Sequence, residues 1–260
     1  MFTRPDDLTD AAVARALRDG WSFTADEIAY CPVGFGSHHW RVGAGGVVKW
    51  FVTVDDLDTK RRSSAETRQD ARYRLSAALT VAGRLRDAGL EFVIAPVASR
   101  SGDFLRPIDD RHVVALYPYV DGGTHEWGAY PSRAERFAIL DRIVAVHAAS
   151  DVAAGVALAD DFAIPRRDEL EIAMSDSSIT WGPGPHGEDA RQLVDENTDS
   201  LRAVLARYDA LKGAVASRPE RMVLTHGEPH RANTIATPEG PVLIDWDTAL
   251  LAPPSETCGA

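Results

Sequence analysis

Residues 222–247 read MVLTHGEPHRANTIATPEGPVLIDWD, an apolar run, a polar loop, a turn and a second apolar run that ends in two aspartates. Met222–Thr225 and Val242–Ile244 have the length and composition of short strands, and Pro238-Glu239-Gly240 between them is turn chemistry. The predicted result is a hairpin-like arrangement in which Glu228, Asn233, Asp245 and Asp247 converge at one end. Carboxylate and amide oxygens suit a hard cation such as Mg²⁺, which takes one or two protein oxygens together with substrate phosphates. Asn233 and Asp245 are the natural pair for that role. Glu228 is placed to orient or accept a proton from a hydroxyl nucleophile.

Upstream, Thr9 or Asp10 can cap a first helix. Strand-like runs follow at Glu27–Val33, Trp40–Val42 and Val47–Thr53, separated by Gly34-Phe35-Gly36-Ser37 and Gly43-Ala44-Gly45-Gly46. Ala65 to Ala88 reads as a helix with Tyr73, Leu75, Leu79, Ala82 and Leu85 along one face. Further strands are expected at Phe92–Ala95 and Val113–Tyr117. Beyond Asp121-Gly122-Gly123 the pattern becomes helical. Ser132–Ala149 carries Phe137, Leu140, Val144 and His147 near helical spacing, and Asp189–Ala216 forms another helix. The joint falls at Tyr117–Asp121, which divides the chain into residues 1–118 and 119–260.

The whole chain of 260 residues carries a net charge of −11, and all of it lies after residue 118, where 23 acidic side chains face 12 basic ones. That balance argues against nucleic acid as a partner and suits a cationic small molecule. Cys31 and Cys258 stand too far apart in sequence to suggest a disulfide framework or a thiolate zinc site. With no signal-like N-terminus and no apolar run long enough to cross a bilayer, the expectation is a cytoplasmic protein without a membrane partner. Composition leaves the oligomeric state open.

His226-Gly227-Glu228-Pro229-His230-Arg231-Ala232-Asn233, followed by Ile244-Asp245-Trp246-Asp247, resembles the signature of the aminoglycoside phosphotransferase and choline kinase-like family. The resemblance implies an α+β, two-lobed protein-kinase-like fold. Its first lobe would be an antiparallel sheet plus a helix, and its second would be mostly helical around the catalytic hairpin. It also implies ATP and Mg²⁺ as cofactors and a small-molecule acceptor, with antibiotic resistance among the roles such kinases fill. Glu228 stands where the family has its catalytic Asp, and Asn233 and Asp245 match the magnesium ligands. By the same resemblance Lys49, in Val47-Val48-Lys49-Trp50-Phe51, is the lysine that holds the nucleotide phosphates, with Glu66 or Asp70 as its acidic partner. Gly34, Gly36 and Ser37 would cover the phosphates, and the carbonyl of Pro118 and the amide of Val120 would hold the adenine. Asp247 is a further candidate for the metal or for a cationic acceptor, and His226 for a structural bond within the loop.

The sequence departs from the family pattern at three points. Glu replaces Asp at 228, Arg231-Ala232 stands where many relatives have Pro-Gly, and the chain reaches Ala260 before the further helices of the family. These departures keep a second expectation open, a truncated nucleotide-binding relative with weak or silent catalysis. A metal-dependent hydrolase built on His226, His230, Asp245 and Asp247 is a third. A helical zinc-protease motif is excluded, because Gly227 and Pro229 would break the helix it requires.

Overall fold

The alternating segments near the N-terminus form β1 (Glu27–Cys31), β2 (His38–Ala44) and β3 (Val47–Asp56), in a computed structural model that describes residues 3–254 apart from 126, 127, 129, 131, 177–180 and 183. With β4 (Arg106–Pro107) and β5 (His112–Pro118) they make an antiparallel sheet in the order β1-β2-β3-β5-β4. One face, with Trp40, Val42, Val52, Val54, Val114 and Leu116, is buried beneath Leu8 and beneath Val13 and Leu17 of α1 (Asp10–Trp21). Thr9 caps α1 by accepting from the Ala12 N–H at 3.2 Å, which answers one of the unpaired donors at a helix start.

The other face packs Val113 and Ala115 against Ala71, Leu75 and Leu79 of α2 (Arg68–Asp87). Thr67 and Asp70 close a reciprocal capping box at the start of α2, so the helix begins three residues later than its apolar pattern predicts. Tyr73, expected on the buried face, is exposed, and Ala71 and Ala78 are buried instead. Farther along, Ala78, Val81, Ala82 and Leu85 enter a second core with Ile139, Ile143, Leu224 and Trp246. Helix α2 therefore belongs to both halves of the molecule.

The second half holds β6 (Gly123–Thr124), α3 (Arg133–Ala148), α4 (Arg167–Ser175) and α5 (Gly187–Ala216). It continues through β7 (Val223–Thr225), β8 (Thr234–Thr237), β9 (Gly240–Leu243) and β10 (Leu250–Ala252). Helix α3 buries Ile139, Ile143 and Val146, while Phe137, Leu140 and Val144 are exposed. Its apolar residues lie all around the circumference, so periodicity alone does not select the buried face. Arg167 clamps α4 to α5 through two bonds to Asp209 at 2.5 and 2.8 Å.

Two strand expectations are corrected. β7 does not pair within the expected hairpin. It pairs antiparallel with β10, and the hairpin is made by β8 and β9 with β6 on its edge. Phe92–Ala95 forms no strand of its own, although Val93 makes a parallel bridge to Leu243 and the Leu243 N–H reaches Phe92 O at 2.8 Å. That bridge ties the segment after α2 to the strand that ends beside Asp245.

Candidate active site

His226 leaves the end of β7 buried, and its ring organises the loop that follows. Its Nε2 donates to Ile244 O at 2.9 Å, while its Nδ1 accepts from the Glu228 N–H at 3.4 Å. Those two bonds require a neutral ring with the proton on Nε2. Burial pushes the ring down to about 4, against the pull of the Ile244 carbonyl, so it stays neutral at physiological pH. Trp246 packs beside it at 4.5 Å between ring centroids. Gly227 turns the chain at φ +88, and a Cβ there would meet the Thr248 hydroxyl at 2.6 Å. Thr248 in turn donates to His226 O at 3.0 Å. The loop is thus braced from the segment that carries the aspartates.

Asn233 is buried, and its amide nitrogen donates to Glu228 O at 2.9 Å. The bond fixes which end of the amide is nitrogen, so Oδ1 remains the acceptor. Ile244 N donates to Asn233 O at 3.0 Å, which sets Asn233 alongside the residue before Asp245. Asp245 turns with φ +66, a left-handed conformation that Asp tolerates better than most residues. Asp245 is exposed as a residue, yet protein crowds its carboxyl on one side and the carboxylates of Asp247 and Asp55 lie near it, with Lys60 acting against them. That surrounding burial first, and Asp247 second, push it up to about 8. Glu228 presents an exposed carboxylate, with the His230 ring 3.9 Å away.

Among the described residues no three His, Cys, Asp or Glu side chains gather as a metal site. The oxygens of Asn233, Asp245 and Asp247 are nevertheless of the chemical kind that a hard divalent cation takes together with phosphate and water, and such a cation would relieve the crowding of the carboxylates.

The structure separates the other sequence candidates. Lys49 lies exposed near the start of β3, and none of the ion pairs among the described residues reaches it. Glu66 instead pairs with Arg74, and Asp70 is committed to capping α2. The lysine brought to the aspartates is Lys60, which no sequence argument singled out. Its Nζ lies 2.7 Å from Asp247 and 3.0 Å from Asp55. Burial opposes its charge, but Asp55 and Asp247 outweigh burial and hold it protonated above the ordinary lysine range. The one local signal was its place directly after Asp55-Asp56-Leu57-Asp58-Thr59, where an apolar strand turns acidic.

Gly34 and Gly36 both take positive φ, 68 and 80, in the turn between β1 and β2. Ser37 donates to Asp55 at 2.5 Å, which ties the turn to β3. His39 stacks on Phe51 at 5.1 Å and bonds Val33 O at 2.8 Å, supporting the turn from below. At the joint between the halves, Pro118 lies opposite Trp50 and the Tyr119 N–H is used on Lys49 O at 2.9 Å. Val120 follows, half-buried. Tyr117 points its hydroxyl to Thr53, and burial raises it well above the usual phenol range.

Residues 28–256 match the profile of the phosphotransferase enzyme family APH. Protein StrN of Streptomyces griseus is 31% identical over 201 residues, which cover 74% of this chain and 61% of StrN. The match thus takes in less than two thirds of that relative. Among solved structures, spectinomycin phosphotransferase APH(9)-Ia in complex with ADP and spectinomycin superposes with a TM-score of 0.69 at 11% identity, over 96% of this chain and 72% of that one. Amicoumacin kinase hAmiN in complex with AMP-PNP, Ca²⁺ and its ligand gives 0.58 at 11% identity, over 95% and 66%. At these identities the likeness shows a shared fold, the two-lobed arrangement that the family resemblance of the loop implies. No helix among the described residues is long and apolar enough to cross a membrane.

Proposed function

This chain belongs to the phosphotransferase enzyme family APH, and on that premise we propose that it moves the γ-phosphate of Mg-ATP to a hydroxyl of a small cationic molecule, an aminoglycoside-like antibiotic or an amine metabolite. The observation that supports the reading is that the bonds His226–Ile244 and Asn233–Glu228 tie the loop of Glu228 and Asn233 to the strand end that carries Asp245. Relatives of the same fold hold ADP with spectinomycin and AMP-PNP with Ca²⁺, which supports a nucleotide, a divalent ion and a small acceptor here.

In this reading Asn233 Oδ1 and Asp245 hold the metal, with Asp247 beside them. The metal, when bound, offsets charge on the phosphates during transfer. Glu228 orients the acceptor hydroxyl and takes its proton. Its exposed carboxylate reaches about 1.5 Å farther than an Asp at the same place would, so the acceptor oxygen would sit correspondingly farther from the loop. The Gly34–Ser37 turn covers the phosphates, and Pro118 O with Val120 N–H receives the adenine. The net negative charge after residue 118 favours approach of a cationic acceptor.

Thermal unfolding with and without millimolar Mg-ATP tests the nucleotide part. Ligand at 100 times its dissociation constant adds about 2.7 kcal/mol, a rise of roughly 2–4 °C for a chain of this size. A folded chain that shows no shift would overturn the reading. A screen of amine-bearing alcohols for ADP release then tests the acceptor class.

A further inference from the structure

Lys60 lies on the segment between β3 and α2, and this segment is anchored to the opposite half of the molecule. Arg62 pairs with Asp161 at 2.8 Å, Ser64 donates to Asp168 at 2.7 Å, and the Arg166 N–H donates to Arg62 O at 2.6 Å. Arg74 of α2 steadies the same segment by donating to Lys60 O at 2.8 Å. Residues 60–64 thus form a strap that crosses from the sheet to the segment 161–168 and to Asp247.

At the head of the strap the Lys60 ammonium touches three parts of the site at once. It pairs with Asp55 at the end of β3 and with Asp247 beside Asp245. A Cβ built on Gly36 would stand 3.6 Å from Nζ, which puts the ammonium directly beneath the glycine turn. This is the space between the turn and the aspartates where phosphates must lie if the nucleotide reading holds. Lys49 is at the far end of β3, six residues before Asp55. Strand residues rise about 3.3 Å each, so the two ends of that interval are roughly 20 Å apart. A lysine side chain spans only about 6 Å from its Cα, so Lys49 cannot reach the ammonium's place without refolding the strand.

We propose that Lys60, presented by this strap and not by the sheet, is the lysine that meets the nucleotide phosphates. We further propose that in the nucleotide-free site it serves as the internal counter-ion of Asp247. The proposal rests on the nucleotide reading of the site above. One ammonium cannot stay on Asp247 and also follow the phosphates while a divalent ion sits on the same carboxylate. The incoming phosphates draw Lys60 off Asp247, and the freed carboxylate becomes available to the metal. Asp55 keeps its hold on Lys60 throughout, in the role for which Glu66 and Asp70 were candidates. Metal and nucleotide are therefore expected to bind with positive coupling, each weak without the other.

Calorimetric titration of the whole chain with ATP plus Mg²⁺, and electron paramagnetic resonance titration with Mn²⁺ alone, test this on Lys60→Met, Lys60→Arg and Lys49→Met. In Lys60→Met, nucleotide affinity should fall at least about tenfold, the loss of one charge-assisted contact. Lys49→Met should stay within about threefold of the parent, as an exposed charge distant from the phosphates would. Mn²⁺ alone should bind Lys60→Met more tightly than the parent, by about tenfold for the removal of one adjacent positive charge. Lys60→Arg keeps the ion pairs and the fold. It should retain the weak Mn²⁺ binding of the parent, which guards against misreading an unfolded Met variant. Nucleotide binding lost in Lys49→Met but kept in Lys60→Met would overturn the proposal, as would Mn²⁺ affinity unchanged in folded Lys60→Met. A parent chain that binds no Mg-ATP would instead overturn the nucleotide reading itself.

Discussion

His226 Nε2 donates to the carbonyl oxygen of Ile244 across 2.9 Å, so the residue two places before Glu228 is bonded to the residue one place before Asp245. Together with the bonds Ile244 N–H to Asn233 O and Thr248 to His226 O, it sets the loop carrying the carboxylate and the strand end carrying the metal-ligand candidate in one frame.

The bond needs a neutral ring, and the neutral ring makes stability depend on pH. The unfolded chain takes a proton on this histidine below its ordinary value of 6.5, whereas the folded chain resists until about 4. Within that window the unfolded state binds more protons, so stability is full above 6.5 and is lost as pH falls towards 4. The contribution is about 3 kcal/mol. Urea unfolding at pH 7 and pH 5 should show the drop, and His226→Asn, being less stable throughout, should show a shallower one. A variant whose slope equals the parent's would mean another group, such as His39, carries the effect.

Gly227→Ala should destabilise the chain by more than about 1 kcal/mol, because φ +88 is strained for any Cβ and Thr248 stands in its way. Chemical denaturation measures the loss. Thr248→Ala in the same chain should recover part of it, and absence of any recovery would place the strain elsewhere.

Glu228→Gln should lower turnover by about 10²–10⁴-fold while nucleotide affinity stays put, as expected for a base that touches only the acceptor. Initial rates and ATP titration separate the two. Parallel loss of both would make the residue structural.

Asp245→Asn removes a carboxyl that burial and Asp247 hold up at about 8. The variant should melt at or above the parent's temperature in metal-free buffer and lose the stabilisation that Mg-ATP confers on the parent. A variant that keeps the full Mg-ATP shift would remove Asp245 from the metal site.

The strap contacts Arg62–Asp161 and Ser64–Asp168 lie largely at the surface. Arg62→Ala should therefore cost less than about 1 kcal/mol of global stability. Its larger effect should be on nucleotide affinity, through a less firmly held Lys60. Comparing denaturation midpoints with calorimetric affinities decides this, and equal effects on both would deny the strap a positioning role.

The loop and strand end that carry Glu228, Asn233 and Asp245 were legible as neighbours, because loop, turn and strand residues within one stretch of chain must return close together, and the bonds His226–Ile244 and Ile244–Asn233 then fix how they meet. The turn at Pro238-Glu239-Gly240 was legible in the same way, but the strand that enters it, β8, was not, since Met222–Thr225 was expected in its place. β7 finds β10 and not β9, because pairing across a loop as long as Gly227–Asn233 is set by what packs on Leu224 and Leu251, not by local pattern. Helix α3 was legible as a helix but not in its orientation, since Phe137, Leu140 and Val144 are as apolar as the residues that the core takes.

By itself the sequence determined the long helices, the first three strands, the family signature and the candidate groups of the loop and strand end, all consequences of contacts between neighbours along the chain. Only the tertiary structure decided which lysine stands beside Asp247. Lys60 and Asp247 are 187 positions apart, and nothing local announces that pair. It exists because the strap is tied down at Asp161 and Asp168 while Asp55 holds the ammonium from β3. A buried ammonium is stable only where such carboxylates surround it.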